Sequence, residues 1–198
     1  MAKIRLTKNE FKKQKDALKR FNRYLPTLIL KKQQLQMEIR KVESQIKEKE
    51  EKLKGVTDNL MRWVDVFGED VGLGEIVQVE ALRMETGNIA GIDIPIFQGL
   101  DFETREYDLF DLPLWVDTAV DVLKENLRFE AELALLREQI RLIEEELRIT
   151  TQRVNLFEKV KIPEAKENIR VIQIYLGDQQ TAAVVRGKIA KKKIVKVS

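Results

Sequence analysis

The 198-residue chain contains neither cysteine nor histidine, which excludes disulfide frameworks, thiolate nucleophiles and metal sites built from these two residues. Charged residues make up 35% of the sequence, with only nine glycines and four prolines, and this balance favours long helices over a compact mixed fold. The sequence has no signal-like apolar segment near its start and no apolar run of about 18 residues. We therefore expect a cytoplasmic protein without a membrane span.

The net charge of +3 is distributed unevenly along the chain. Residues 1–32 contain 11 basic and two acidic residues, and residues 161–198 contain nine basic and three acidic residues. Residues 61–118 instead contain three basic and 13 acidic residues. If the chain folds back on itself, both basic ends meet at one tip and the acidic middle lies at the other end.

Between residues 11 and 60, apolar side chains recur at alternating spacings of three and four, with mostly Lys, Glu, Gln and Arg between them. This average of 3.5 residues is the repeat of a left-handed coiled coil. About 50 helical residues span roughly 75 Å, so the apolar stripe needs a partner. The predicted seam positions of this first helix are Phe11, Leu18, Phe21, Leu25, Leu28, Leu35, Ile39, Val42, Ile46 and Leu53.

The start of the first helix is predicted by a capping box, in which Thr7 and Glu10 each bond the backbone N–H of the other. Pro26 removes one backbone hydrogen bond inside the helix, but the apolar repeat stays in phase across it. We expect a kink at Pro26 and not a break, and an end near Phe67, before Gly68.

Three polar residues, Gln14, Lys32 and Lys49, interrupt the apolar stripe. Their stems can lie along the seam while their polar ends reach solvent. Alternatively, they fix the register of the two helices or contact a third partner. The sequence leaves both interpretations open.

Residues 68–111 form an insert of different character. Glu75–Glu85 is rich in strand-forming residues, Thr86–Asn88 has the composition of a turn, and residues 92–97 alternate Ile with other residues. These features predict a β-hairpin. Pro95 cannot donate a backbone hydrogen bond, so its strand is predicted to be an edge.

An acidic loop is predicted from Leu100 to Leu112, followed by a second helix that Asp111 caps and that holds Pro113 in its first turn. Pro163 predicts a kink or a joint further along. The apolar repeat of the second helix passes through Trp115, Ala119 and Val122, and its predicted seam positions are Phe129, Leu133, Leu136, Ile140, Ile143, Leu147, Val154 and Phe157.

Two apolar stripes joined by a compact insert predict a mainly α fold, a long antiparallel two-helix left-handed coiled coil with a small β-hairpin at the turnaround. The predicted domains are an N-terminal helix at 1–67, the hairpin and acidic loop at 68–111, and a C-terminal helix with a basic tail at 112–198. The register places Leu60 beside Ala119 and Phe11 near Asn168.

In this register the C-terminal residues extend past the first helix and keep apolar side chains that no other segment covers. We expect another protein to cover them. The candidate contact residues in this tip are Val184, Val185, Arg186, Lys188, Ile189, Lys191, Lys192 and Lys193.

No catalytic, cofactor-binding or metal site is predicted. Gly72-Leu73-Gly74 lacks the third glycine of a dinucleotide-binding loop, and Gly187-Lys188 lacks the earlier glycine and the following hydroxyl of a phosphate-binding loop. Glu144–Glu146 is typical of a solvated helix face. The basic tip lacks interleaved aromatic residues and a groove-reading motif, so we expect no nucleic-acid partner. The chain is interpreted as a mechanical or binding component and not as an enzyme.

Three stretches carry a family resemblance: LTKNEFKKQKDALKRFNRYLPTLILKKQQL at 6–35, NIAGIDIP at 88–95 and QRVNLFEKVKIPEAKENIR at 152–170. They resemble the D subunits of the V-type and A-type rotary ATPases and ATP synthases, in the bacterial branch of that family. The resemblance covers nearly the whole chain. The tail after Leu176 is less acidic than in many members, so contacts at the tip carry over least.

The resemblance implies a non-catalytic axle in the central stalk of a rotary complex that is peripheral to the membrane. The paired helices would enter a hexameric ring of catalytic A and non-catalytic B subunits, and the F subunit of the central stalk would bind the side of the axle. The turnaround end would reach the funnel-shaped subunit that couples to the membrane ring. The hairpin would modulate the rate of ATP hydrolysis.

Two other classes of protein share part of this pattern. Prefoldin-like chaperone subunits also place β-hairpins between antiparallel coiled-coil helices, but their helices and inserts are shorter. In a structural or DNA-tethering coiled coil the insert would have no role. Self-assembly into a hexamer would distinguish the chaperone from an axle, which would form a one-to-one complex with the F subunit.

Overall fold

The structure is a computed structural model that describes residues 4–61, 73–105, 112–113 and 115–197. It is mainly helical and contains one antiparallel two-stranded hairpin, which confirms the predicted fold class. The elements are α1 (Lys8–Met61), α2 (Leu73–Ile76), β1 (Val77–Ile89), β2 (Ile92–Thr104), α3 (Val116–Asn155), a π-helical segment (Leu156–Lys161) and α4 (Ile162–Val197).

The chain divides into two compact units. The terminal unit comprises Met1–Lys32 and Ile149–Ser198, and the central unit comprises Gln33–Arg148. Each unit contains one part of α1 together with a part of the C-terminal helices. The hairpin belongs to the central unit.

Half of the predicted capping box is present at the start of α1. The Thr7 hydroxyl accepts a hydrogen bond of 3.2 Å from the Glu10 N–H. The reciprocal bond was predicted wrongly, because the Thr7 N–H donates to the Arg5 carbonyl at 3.0 Å and the Glu10 carboxylate accepts from the Gln14 amide at 2.9 Å. The helix continues through Pro26 without a break, as expected. The predicted end near residues 67 and 68 lies outside the described residues.

The turn of the hairpin lies at Ala90 and Gly91, so the prediction of Thr86–Asn88 was wrong. Their φ angles of 52° and 83° are both left-handed, which is the geometry of a two-residue turn matching the twist of its strands. Asn88 flanks this turn: its side-chain oxygen accepts from the Gly91 N–H at 3.1 Å, and its amide donates to Asp93 at 2.8 Å.

At the end away from the turn, β2 is longer than predicted and β1 begins later than predicted. Residues 100–104 continue β2, where an acidic loop was predicted, because they pair with β1 down to Val77. Residues 75 and 76, predicted as strand, form the end of α2. The predicted loop residues 106–111 lie outside the described part of the chain.

The hairpin packs against the helices of the central unit at both of its ends. At the base, Val77 belongs to a buried cluster with Val116 and Val120 of α3. At the turn end, Ile94 is 3% exposed and lies in a core cluster with Leu35 and Ile143. Burial of such side chains contributes about 1.5–3 kcal/mol each, so both ends of the hairpin are fixed on the helices.

The second helix begins later than predicted. The Val116 N–H donates to the Pro113 carbonyl at 3.1 Å, which closes a turn before α3. Pro113 therefore precedes the helix, and the prediction that it occupies the first helical turn was wrong. The predicted cap, Asp111, lies outside the described residues.

The irregularity predicted at Pro163 is a π-helical segment that directly precedes α4. The Ile162 N–H donates to the Phe157 carbonyl, five residues back, instead of four. Pro163 has no N–H to restore the α-helical pattern at the next residue. The π turn inserts one residue into the repeat, which shifts the apolar face to Ile162 and Ala165. Beyond it, α4 continues to Val197.

Candidate functional site

In the terminal unit, the start of α1 lies beside the π segment and the first turns of α4. The rings of Phe21 and Phe157 are 5.2 Å apart between centroids, at an interplanar angle of 42°. Further toward the N-terminus, the Asn168 amide donates to the Gln14 side-chain oxygen at 3.4 Å. As the residue number rises along α1 from Gln14 to Phe21, the number of the contacting residue falls from Asn168 to Phe157. The two segments are therefore antiparallel. The Gln14–Asn168 contact lies one helical turn from the predicted pairing of Phe11 with Asn168.

The central unit has the same antiparallel order. Leu35 lies in one core cluster with Ile143, whereas further along α1 the Lys49 Nζ lies 2.7 Å from Glu132 Oε2, so rising residue number on α1 is again matched by falling number on α3. Lys49 is also 5.7 Å from the centroid of the Phe129 ring. Of the alternatives left open for Lys49, this geometry favours a contact that fixes register, because its charge is held across the helix pair.

The other two polar positions differ from Lys49. Gln14 bonds both Glu10 on its own helix and Asn168 in the C-terminal half of the same unit. Its amide is therefore a polar contact within the terminal unit. Lys32 is half-buried, which fits either interpretation of its role.

All eighteen predicted seam positions are buried or half-buried. The most enclosed are Leu35 and Ile143, both 0% exposed. The described buried residues that the predicted repeat missed include Gln139, whose polar side chain gave no apolar signal, and Ala165, which follows the inserted π residue. The buried seam residues are Leu35, Ile39, Val42, Leu133, Leu136, Ile143 and Val154.

The predicted tip residues are exposed on α4. Val184, Val185 and Ile189 are 58%, 49% and 52% exposed, values far above those of a helical core face. The basic residues among them, Arg186, Lys188, Lys191 and Lys192, are exposed as well. The side chain of Lys193 lies outside the described part. The tip thus offers apolar and cationic side chains on one helical stretch.

The charged residues of the helix surfaces form short-range pairs typical of solvated helices. A hydrogen bond from Lys52, 2.6 Å away, lowers the pKa of Glu48. In the same way, the guanidinium of Arg141 lowers the pKa of Glu138, and the carboxylate raises the pKa of the arginine. Each shift stabilises the charged form, which is the opposite of what a general acid near neutral pH requires.

A cleft of about 370 Å³ lies in the central unit between the hairpin and the two helices. Apolar Ile89 and Ile94 line it on one side, and Glu38, Lys41 and Gln139 line it elsewhere. In the part of the chain that the structure describes, no group of three or more acidic side chains could hold a metal ion. None of the described helices is both long and apolar enough to cross a membrane.

Comparison with known proteins gives consistent similarities over the whole chain. A sequence profile of the family described as the D subunit of ATP synthase matches residues 10–192. The V-type ATP synthase D subunit of Borreliella burgdorferi is 52% identical over 196 residues, which cover 99% of this chain and 97% of the relative. The proteins of the same name from Chlamydia muridarum and Chlamydia caviae are each 33% identical over 98% of this chain and over 97% and 94% of the relatives.

Proposed function

Since this chain belongs to the family of ATP synthase D subunits, we propose that it is the rotor shaft of the central stalk in a V-type or A-type ATP synthase. In this role it transmits torque between a catalytic ring and a membrane ring that translocates ions. The shaft itself catalyses no reaction.

The observation that carries the proposal is the antiparallel pairing of α1 with the C-terminal helices within each unit. The Phe21–Phe157 contact represents it in the terminal unit, and the Lys49–Glu132 ion pair represents it in the central unit. A torque-transmitting element must resist bending and twisting, and two helices interlocked along a seam do so better than one.

The exposed tip supports the seating of the shaft in a ring of A and B subunits. Val184 and Ile189 can slide against apolar surfaces of the ring, while Arg186 and Lys188 are attracted to acidic loops. Such an attraction would bias the angles at which the shaft pauses. The F subunit would bind the side of the shaft, and the funnel-shaped subunit would receive the turnaround end.

The test is reconstitution of a purified A/B ring with and without this chain and the F subunit. We expect the chain and the F subunit to form a one-to-one complex, ATP hydrolysis to change on its addition, and a bead attached to the chain to rotate during hydrolysis. Absence of binding to the ring would refute the proposal. Assembly of the isolated chain into a hexamer would instead support the prefoldin-like alternative.

The role of the tip is tested by neutralising its five basic residues with glutamine. We expect the ring to bind this variant more weakly, with a smaller dependence on salt, because the charge attraction is lost. A matched control removes five positive charges from the middle of α1. Equal effects of both variants would contradict a specific role of the tip. The tip set is Arg186, Lys188, Lys191, Lys192 and Lys193, and the control set is Arg40, Lys41, Lys47, Lys52 and Lys54.

A further inference from the structure

The two edges of the hairpin have different surroundings. On the β2 side, the Pro95 carbonyl accepts a hydrogen bond from Gln139 of α3, and Ile94 and Leu100 are buried. On the β1 side, every residue from 78 to 86 is exposed. The hairpin therefore uses one edge to dock on its own helices and leaves the other edge at the surface.

The register shows which backbone groups of β1 point outward. Ile89 and Ile92 close the two-residue turn, so they form a hydrogen-bonded pair, and such pairs alternate along an antiparallel ladder. Thr86 pairs with Pro95 at a position where the ladder makes no bond. The N–H and C=O of Thr86 thus point away from β2, and the presence of a proline opposite agrees with this geometry.

The outer strand also carries apolar side chains. Val79 is 50% exposed, Met84 is 55% exposed and Leu82 is 38% exposed. Two register irregularities, between Val79 and Ala81 and between Arg83 and Met84, interrupt the ladder. The regular outer edge is therefore short and runs from Met84 to Ile89.

The hairpin is acidic, since residues 77–104 contain five acidic side chains and one basic side chain. The basic residue, Arg83, already pairs with Asp101 at 3.0 Å. Pairing of two copies of β1 would bring these like charges together, which is unfavourable. A positively charged strand would be attracted instead.

We propose that the outer edge of β1 between Met84 and Ile89 accepts a short extended segment from another polypeptide of the assembled complex, which becomes a third strand. The segment alternates apolar residues with Lys or Arg, so that its backbone bonds the groups at Thr86 and its charges face the acidic hairpin. This inference rests on the part of the proposed function that places the chain in an ATP synthase complex, and it does not require that the chain rotates.

The first experiment compares hydrogen exchange of residues 84–88 in the isolated full chain and in the assembled complex. We expect about tenfold slower exchange of the Thr86 and Asn88 amides after assembly, because these N–H groups point away from β2 and gain partners, whereas the Glu85 and Gly87 amides already bond β2. Unchanged exchange would overturn the inference. If the complex rotates while the exchange of these amides is unchanged, the addition of a third strand is contradicted, but the proposed role as a rotor shaft is not.

The matched variants are Thr86→Pro and Thr86→Ala. The proline removes the outward N–H of residue 86 without removing a bond between β1 and β2. We therefore expect the slower exchange of the Asn88 amide on assembly to be lost in Thr86→Pro and kept in Thr86→Ala. Equal protection in both would overturn the proposal. Exchange of the buried amide of Ile94 reports whether each hairpin is folded. Glu80→Lys keeps every backbone N–H of β1 and serves as a second variant. We expect its outward β1 amides to be slowed less by assembly than those of the unchanged chain.

The charge preference is tested on the full chain with the peptides VKVKVK and VEVEVE at low salt. We expect amide resonances of residues 84–88 to shift with the lysine peptide and not with the glutamate peptide. Equal shifts would overturn the preference for a basic segment. A concentration-dependent dimer that Thr86→Pro abolishes would overturn it in favour of a second copy of the chain.

Discussion

The side-chain amide of Gln139 donates a hydrogen bond of 2.5 Å to the carbonyl oxygen of Pro95, and this bond joins α3 to β2. Gln139 is only 7% exposed, so its polar group has little access to water. A buried polar group without a partner costs about 1–3 kcal/mol. The bond therefore selects one position of the hairpin along the helix, in addition to the apolar contacts.

Replacement of Gln139 by leucine should destabilise the protein by about 1–3 kcal/mol, because similar volume is kept while the Pro95 carbonyl loses its donor. Urea unfolding measures the free energy, and hydrogen exchange in β2 reports loosening of the hairpin. The control is Glu144→Leu at an exposed position of the same helix. If both variants lose the same stability, the hydrogen bond does not position the hairpin.

Replacement of Ile94 by alanine should cost about 2–5 kcal/mol, since this side chain fills a core between Leu35 and Ile143. Ile96→Ala on the same strand is the matched control, because Ile96 is 38% exposed and should cost much less. Thermal and urea unfolding compare the two. A cost for Ile94→Ala as small as that of the control would show that the hairpin is not anchored at its turn end.

The two residues of the hairpin turn should change stability in opposite directions when alanine and glycine are exchanged. Ala90 has a φ of 52°, which costs a residue with a Cβ about 1–2 kcal/mol, so Ala90→Gly should stabilise the hairpin. Gly91 has a φ of 83°, and Gly91→Ala should destabilise it by a similar amount. Urea unfolding of both variants checks the signs. A loss of stability in Ala90→Gly would contradict the left-handed turn.

The pH dependence of stability should reflect the exposed ion pairs. The pKa of Glu138 is lowered from 4.5 by Arg141, so the pair stabilises the folded chain above pH 4.5, and this stability is lost as the pH falls through the lowered pKa. Glu138→Gln should flatten the decline in melting temperature between pH 5 and pH 3, relative to the control Glu144→Gln at an exposed position of the same helix. Identical profiles for the two variants would contradict the pair.

The periodicity of the sequence predicted both long apolar stripes, because helical burial depends on spacing that the chain itself contains. It placed the hairpin correctly but its turn wrongly. Thr86-Gly87-Asn88 has turn-forming residues, whereas the actual turn uses Ala90, a poor residue for a left-handed φ. The usable signal was Asn88, which stabilises the turn from one side through the Gly91 N–H.

Other features depend on tertiary contacts that no local pattern contains. Gln139 is buried because the hairpin docks on α3, and its polar side chain breaks the apolar repeat. The π segment depends on nearby residues, but its only indication in the sequence was Pro163, two residues after the segment ends. A proline indicates that a helix is disturbed and does not show how many residues each turn contains.

The contact between Phe21 and Phe157 gives the most direct test of the proposed seam in the terminal unit. Ring centroids 5.2 Å apart in a tilted arrangement should couple by about 0.5–1.5 kcal/mol beyond the area that each ring buries. The measurement is a double-mutant cycle of Phe21→Leu and Phe157→Leu by urea unfolding. The control cycle combines Tyr24→Leu with Phe157→Leu and should give a coupling near zero, because Tyr24 is 55% exposed. Equal coupling in the two cycles would show that α1 and the π segment are not interlocked there, and the shaft would lack the rigid pairing that torque transmission requires.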